Sequence, residues 1–466
     1  MIMLKKKSKS KKYFDNATTD LKKKKNTTQT EAMKYLLLLS QTHMQFRLAE
    51  LTALAQLENI AVDLSSHDES SPFMIVELEN DEAAKKLIRR SVLAKSIYEL
   101  WGGPAASMEE LHEQIKTQTS QLWPKYATDS FKFEIIGYQS SRPKEEFIKM
   151  VEGFSYMDFK GKIKMKSPDH VFTILEDYRV IGQNPEPAPA RIFFGRHIAN
   201  SNRSAMDTFD LKKRKYIGTT SFDAELSLLT CNLAHVKRNG LMYDPFAGTG
   251  SFLVAAAAFG ALTVGSDIDV RMIRGKGKGC DIPANFKQYN SVNRLLDVLA
   301  VDFTNNSFRK GLKFDSIVCD PPYGVREGLK VLGVREEDVE KKKHLETTLV
   351  DGQLAHTRRD YIPPKKPFEF GKMMDALLSF SAERLVEDGR LAFWMPTANQ
   401  DYTDAEIPLH EDLELICNCV QDFNQWSRRC LVYRRRKEGD KGELRKTEGG
   451  KAEDFRVKYF KGFKNE

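Results

Sequence analysis

The sequence predicts an α/β protein: a doubly wound, mostly parallel sheet covered by helices, preceded by a smaller α+β unit of ferredoxin-like type. Three observations predict it. From residue 191 onward, strand-length apolar runs alternate with helical stretches, at 240–244, 252–260, 261–266, 298–302, 314–319, 372–386, 390–395, 413–420 and 429–434. Such alternation builds βαβ units. Upstream, a β-α-β-α-β series reads as strand Tyr35–Leu39, helix 44–58, strand Phe73–Leu78, helix Glu82–Arg90 and strand Ala94–Leu100. Between the two halves runs a Pro-rich stretch, Asn184–Ala190.

The remaining elements follow from the same periodicities. Phe131–Gly137 reads as a strand, Pro143–Val151 as a helix, and Val171–Leu175 as the opening of another helix. Between 325 and 370 the chain is polar without core periodicity, which predicts a mobile loop. Past Arg436 it is charged and Gly-rich and reads as a loose tail. The expected organisation is a disordered basic tail at 1–33, an α+β region at 34–183, a linker at 184–190, an α/β domain at 191–436 and a charged tail at 437–466.

The formal net charge of +8 is misleading. Residues 1–30 hold ten Lys and two Asp, which account for all of it, so the other 436 residues are neutral overall. Any nucleic-acid surface on the globular part must therefore be a local patch. The six cysteines (231, 280, 319, 417, 419 and 430) form no CxxC pair. They read as reduced thiols, with no metal site expected and with a cytoplasmic location, a nuclear one being the alternative given the basic tail. The longest apolar run, Phe252 to Val264, has thirteen residues, too few to span a bilayer.

Residues 241–252, LMYDPFAGTGSF, carry a strand into Asp244, then a turn with Gly248 and Gly250, then a helix. Glycine at such positions turns tightly and lets backbone approach a ligand. A phosphate-binding P-loop needs Lys and Ser/Thr after its last glycine, and here Ser251-Phe252 follows. A dinucleotide turn wants a third glycine where Leu253 stands. S-adenosylmethionine has no phosphate, and its cationic sulfonium favours carboxylates. Asp244 beside the turn, Asp267 at the next strand end (Asp269 being the alternative) and Asp302 at a third supply them. Phe246 lies within the turn, and Thr219, Thr220 and Ser221 are candidates for the cofactor's carboxylate. Each acid alone is equally a helix cap or a loop residue; three at successive strand ends converge on one crevice.

Residues 314–324, FDSIVCDPPYG, deliver Asp320 to a strand end, 72 residues after Gly248. Pro321 and Pro322 make a rigid, extended exit. An aromatic amine becomes nucleophilic only when acceptors bind its N–H groups, and Asp320 with the Pro321 carbonyl can accept both. Tyr323 offers a face for a base lifted from its stack. A lone DPPY is otherwise an ordinary turn; its position after the glycine turn points to amine methylation. Of the remaining motifs, GKGKG (275–279) reads as a connector, and KKRK (Lys212–Lys215) as a phosphate-facing patch or a solvated face.

Around these motifs the sequence resembles the catalytic subunit of the eukaryotic tRNA (guanine-10-N2-)-methyltransferases. The resemblance runs through YLLLLSQTHMQFRLAEL, AKSIYELWG, HVFTILEDY, IFFGRHIA, DLKKRKYIGTTSFDAELS, YDPFAGTGSFLVAAAAFGA, GSDID, NFKQY, DPPYGVREG, GRLAFWMP and LELICNCVQDF with SRR, nearly all of 34–435. It implies an N-terminal THUMP-containing region that grips tRNA and a Rossmann-like methyltransferase domain. It also implies N2-methylation of guanosine at tRNA position ten, and a small zinc-binding activator subunit as partner. DPPY itself serves adenine and guanine alike, so a DNA adenine-N6 or another RNA guanine-N2 methyltransferase is the alternative, with a noncatalytic RNA-binding module as a different class.

Because charge contacts outside a defined groove are screened by salt, deleting residues 1–30 should weaken tRNA binding at low salt only. The modified position should not change. Filter binding across a salt series, with mapping of the methylated nucleoside, checks both.

Overall fold

The computed structural model describes residues 32–461 apart from 182–183, 326–327, 336, 338–346, 359, 401 and 448–450. The basic tail, up to residue 31, lies outside them, as does a smaller part of the polar insertion. The chain divides into two compact units at Arg203/Ser204.

The N-terminal unit is one six-stranded sheet. Its strands are β1 (Met33–Leu39), β2 (Phe73–Leu78), β3 (Ala94–Ala105), β4 (Phe131–Tyr138), β5 (His170–Asp177) and β6 (Arg191–Asn200), in the order β2-β1-β3-β6-β5-β4. Helices α1 (Arg47–Leu57) and α2 (Asp81–Ile88) bury Leu51, Leu54, Leu87 and Ile88 in a core with β1 to β3. Asn80 starts α2 by accepting from the Ala83 N–H. Buried Glu50 accepts from Ser91 Oγ and from the Val92 and Leu93 N–H groups, tying α1 to the start of β3.

Two sequence expectations fail in this unit. Val171–Leu175 opens a strand, β5, which pairs in parallel with β4. A short apolar run with both faces buried carries no period to separate strand from helix. The second domain was expected to begin at Arg191. Instead 191–200 is β6, hydrogen-bonded between β3 and β5 with Ile192, Phe193 and Phe194 almost fully buried. The Pro-rich run therefore precedes the first sheet's last strand, because that sheet needs β6 to join its two halves.

The C-terminal unit is a seven-stranded sheet. It comprises β7 (Leu241–Asp244), β8 (Leu262–Asp267), β9 (Leu295–Ala300), β10 (Phe314–Cys319), β11 (Leu385–Ala398), β12 (Leu413–Asp422) and β13 (Trp426–Arg435), ordered β9-β8-β7-β10-β11-β13-β12. The first five are parallel and β13 runs antiparallel to both its neighbours. This is the doubly wound, mostly parallel sheet the alternation predicts. Its helices include α3 (Ala224–Leu233), α4 (Ser251–Ala258), α5 (Val270–Arg274), α6 (Ile282–Gln288) and α7 (Phe370–Arg384). Helix α7 buries Met373, Met374, Leu377 and Leu378 against β10 and β11 residues such as Ile317 and Leu391.

The described part of the insertion holds two short antiparallel strand pairs, Lys330–Leu332 with Lys365–Pro367 and Leu349–Val350 with Gln353–Leu354. The tail holds a helix, α8 (Lys451–Lys461). Phe455 and Tyr459 stand four residues apart, on one face of that helix. Both rings lie 5.9 Å from the Trp426 ring, so this part of the tail is packed rather than loose. Among the described residues, no helix is long and apolar enough to cross a membrane.

Candidate active site

Strand order reverses between β7 and β10, which pair in parallel with Met242 opposite Ser316 and Tyr243 opposite Ile317. Ligands of open α/β sheets bind beyond the strand C-termini at such a reversal. The glycine turn leaves β7 there and the DPPY corner leaves β10. Both line one cleft of about 730 Å³.

The turn has two different glycines. Gly248 (φ +51°) lines the cleft, and a Cβ there would meet only the Phe246 carbonyl, at 3.9 Å. Gly250 (φ +83°) caps α4 and is not a cleft residue; a Cβ on it would press Ile282 Cγ2 at 3.2 Å. Gly250 thus ends the turn in a left-handed conformation, with its Cβ position facing the helix layer. Close strand–helix approach comes from Gly265 on β8, whose added Cβ would meet Leu253 Cδ1 at 2.6 Å. That explains why Leu253 can stand where a dinucleotide turn has glycine.

The acids sort by their partners. Asp244 is 1% exposed, accepts from the Phe246 N–H at 2.9 Å and lines the cleft. Burial raises its pKa well above the usual carboxylate range, and the nearby Asp267 and Asp320 carboxylates push the same way. Asp267 accepts from the Gly248 N–H at 3.0 Å and the Asp269 N–H at 2.7 Å, so it braces the turn from the next strand. Asp269 caps α5 and is held by Arg271, with Lys365 at 3.8 Å. Its pKa falls to about 2, chiefly through the Arg271 hydrogen bond. Asp302 accepts from the Thr304 N–H and hydroxyl and, at 2.8 Å, from the Leu332 N–H. It is at once a cap, the anchor of the insertion and a cleft residue. About one acceptor position of its carboxylate is left over.

Tyr323 donates its hydroxyl to Asp320 Oδ1. Burial and the Asp320 charge raise the Tyr323 hydroxyl, with Arg428 pulling the other way. Pro321 and Pro322 line the same wall. Thr219 and Thr220 are exposed at the cleft, whereas Ser221 Oγ accepts from the Gly218 N–H and shares a hydrogen bond with Thr249. Within KKRK, Arg214 is buried and donates to Ser251 Oγ and the Phe209 carbonyl, so it is no part of a phosphate-facing patch.

Sequence reasoning missed one side of the cleft. Phe423, Trp426 and Arg428 reach it from β12 and β13, and Phe455 and Tyr459 from α8. Phe423 and Trp426 stack, with centroids 4.4 Å apart. No spacing signals them, because the antiparallel return of β13 along β11 is what brings them to the parallel strands' ends.

Comparison with known proteins fits this geometry. Residues 33–203 match the family described as "Tmrp11 THUMP N-terminal domain" and residues 212–332 the "RMKL-like, methyltransferase domain". The tRNA (guanine(10)-N(2))-methyltransferase of Saccharomyces cerevisiae is 51% identical over 434 residues, 92% of this chain and 99% of that one. This chain belongs to the tRNA (guanine(10)-N(2))-methyltransferase family. The Homo sapiens member is 37% identical, covering 86% of this chain and 87% of its own. Among solved structures, TrmN from Thermus thermophilus aligns with a TM-score of 0.41 at 15% identity, over 86% of this chain and 99% of that one.

In this family member the raised Asp244 has a consequence for stability. The unfolded chain ionises Asp244 at an ordinary carboxyl pKa, whereas the folded one resists. Stability from this group is therefore present below the ordinary range and lost as pH rises towards the raised folded value. Asp244→Asn should raise the melting temperature of the ligand-free protein at pH 7.5, by about 2–4 °C per kcal/mol recovered. The difference should close as pH approaches 4. Thermal unfolding of both proteins across that range measures it, and a pH-independent difference would contradict the assignment.

Proposed function

We propose that this chain transfers the methyl group of S-adenosylmethionine to the exocyclic N2 amine of guanosine at position ten of tRNA. The observation that carries the reading is the shared cleft: a glycine turn lined with carboxylates on one side, the Asp320–Tyr323 corner on the other.

The residues fit the cofactor. Gly248 leaves a cradle that a side chain would fill, and Asp244, Asp267, Asp302 and Asp320 give the cleft an acidic lining suited to a cationic ligand. When bound, S-adenosylmethionine supplies an electrophilic methyl group on a positively charged sulfur. In this proposal Asp267 holds the ribose hydroxyls and Asp302 uses its remaining acceptor position for the adenine amine. Phe246 packs beside them, and Thr219 and Thr220 receive the carboxylate. Asp269 is set aside for the ribose, since Arg271 already neutralises it.

On the substrate side, Asp320 and the Pro321 carbonyl accept the two N–H bonds of the target amine, localising its lone pair. Tyr323 occupies one carboxylate oxygen, Oδ1. The tyrosine hydroxyl holds the carboxylate in a fixed orientation. The proton shed on methylation passes to Asp320. Catalysis then rests on proximity and preorganised acceptors. The N-terminal unit, matched to a THUMP family, is the part that holds the tRNA.

The small zinc-binding activator subunit belongs to the same proposal. Strand β9 is an edge of the parallel sheet. Beside it Val292 is 55% exposed, and on it Leu296 is 54% exposed. A parallel edge carrying apolar side chains is normally covered, and β9 is the edge we assign to that partner.

Asp320→Ala should lower turnover by about 100-fold or more while cofactor affinity stays within a few-fold. Near-normal turnover would refute the role. Nucleoside mass spectrometry of tRNA from a knockout strain should show loss of N2-methylguanosine at position ten alone. Leu296→Asp should abolish co-purification of the small subunit without unfolding the chain, as read by pull-down and circular dichroism.

A further inference from the structure

The DPPY corner can orient either base amine, so it does not account for a choice of guanine. Arg428 is placed to make that choice. It extends from β13 into the cleft that holds Asp320 and Tyr323. Its guanidinium is fixed from several sides. The Cζ atom lies 4.9 Å from the Phe222 ring centroid, 5.3 Å from Trp394 and 5.5 Å from Phe423. Its Nε and Nη2 atoms donate to Gln421 Oε1, at 3.1 and 2.7 Å. A guanidinium has five N–H groups, so donors remain for the Tyr323 hydroxyl and for a bound base. Tyr323, which donates to Asp320, lines the same cleft as Arg428, and the guanidinium offsets part of the upward pull on its hydroxyl.

We propose that Arg428 is the specificity residue for guanine, donating to O6 while Asp320 and the Pro321 carbonyl hold the N2 amine. The C2 amine and O6 lie on one edge of guanine, on either side of N1, so acceptors beside a donor match them together. Adenine entering with its C6 amine at Asp320 would turn C2–H towards the guanidinium. That carbon accepts no hydrogen bond, and a desolvated charged donor would be left without a partner. Lysine would keep the charge but lose the planar fork that stacks on the rings and donates in two directions.

The inference rests on the function proposed above, and the test separates them. The full chain, in the complex in which it purifies, is assayed on tRNA carrying guanine or 2-aminopurine at position ten. 2-Aminopurine keeps the C2 amine and lacks O6. The wild type should favour guanine by about tenfold or more in kcat/KM. Arg428→Met, which keeps the stem against the rings, should fall on guanine by about that factor, hold its rate on 2-aminopurine and bind S-adenosylhomocysteine as the wild type does. Arg428→Lys should restore part of the preference. The proposal is overturned if the wild type shows no preference, if Arg428→Met slows both substrates equally, or if it weakens cofactor-product binding and keeps the preference. A wild type that leaves guanine at position ten unmethylated would instead overturn the functional reading itself.

Discussion

The site depends on the parallel pairing of β7 with β10. Without it, the glycine turn and the DPPY corner would be two unrelated loops 72 residues apart in sequence. Helices on either side of that seam connect outward in opposite directions, so neither crosses the gap at the strand ends. Close packing then transmits the arrangement. Gly265 lets α4 lie against β8, and Asp267 bonds the Gly248 N–H across from the neighbouring strand. The turn is therefore braced by the strand that also supplies its acid. Register on the other side is held by β11, pairing with β10 from Phe314 to Cys319.

How far this was legible in the sequence depended on the range of the forces involved. Local signals sufficed for the parallel sheet, because each βα unit declares itself by a change of apolar period. They sufficed as well to place Asp244, Gly248, Asp267, Asp302 and Asp320 at strand ends or in the turns just after them, where all five line one cleft. The different settings of Gly248 and Gly250 were not legible, because two glycines two residues apart look alike and only a neighbour from α6 (Ile282) sets them apart. β6 was misassigned because IFFGRHI is apolar enough for either sheet, and which sheet lacks a strand is a global fact. Helix α8 was overlooked for a related reason. Its composition is charged and its two anchoring rings, Phe455 and Tyr459, have meaning only opposite Trp426.

Acidic residues at strand ends are ambiguous between capping and binding, and here the two roles coincide. Asp302 caps the turn at Phe303–Asn305 and fixes Leu332 of the insertion, yet it faces the cleft. Asp269 lies two residues beyond Asp267 and differs from it in its partners, Arg271 and Lys365 rather than the Gly248 and Asp269 N–H groups. Capping uses lone pairs pointing back into the protein and leaves the others outward, so a carboxylate oriented by its own backbone is preorganised for a ligand without further cost. The alternative readings of these residues were complementary.

Six carboxylates (Asp223, Asp244, Asp267, Asp269, Asp302 and Asp320) line the cleft with four cationic side chains (Arg271, Lys330, Lys365 and Arg428) among them, and the acidic excess bears on what the site can hold. Burial is the main reason Asp244 resists ionising, and the like charges of Asp267 and Asp320 add to it. A cationic ligand reverses that pressure: its charge favours the Asp244 anion, and the anion in turn favours the charged ligand over its neutral counterpart. Methyl transfer removes the positive charge from sulfur, so the attraction that gathers the reactants fades in the products. On the proposed reading, the buried acid that costs the folded chain stability is also what would favour the charged cofactor, and release of the spent one would follow from the same electrostatics.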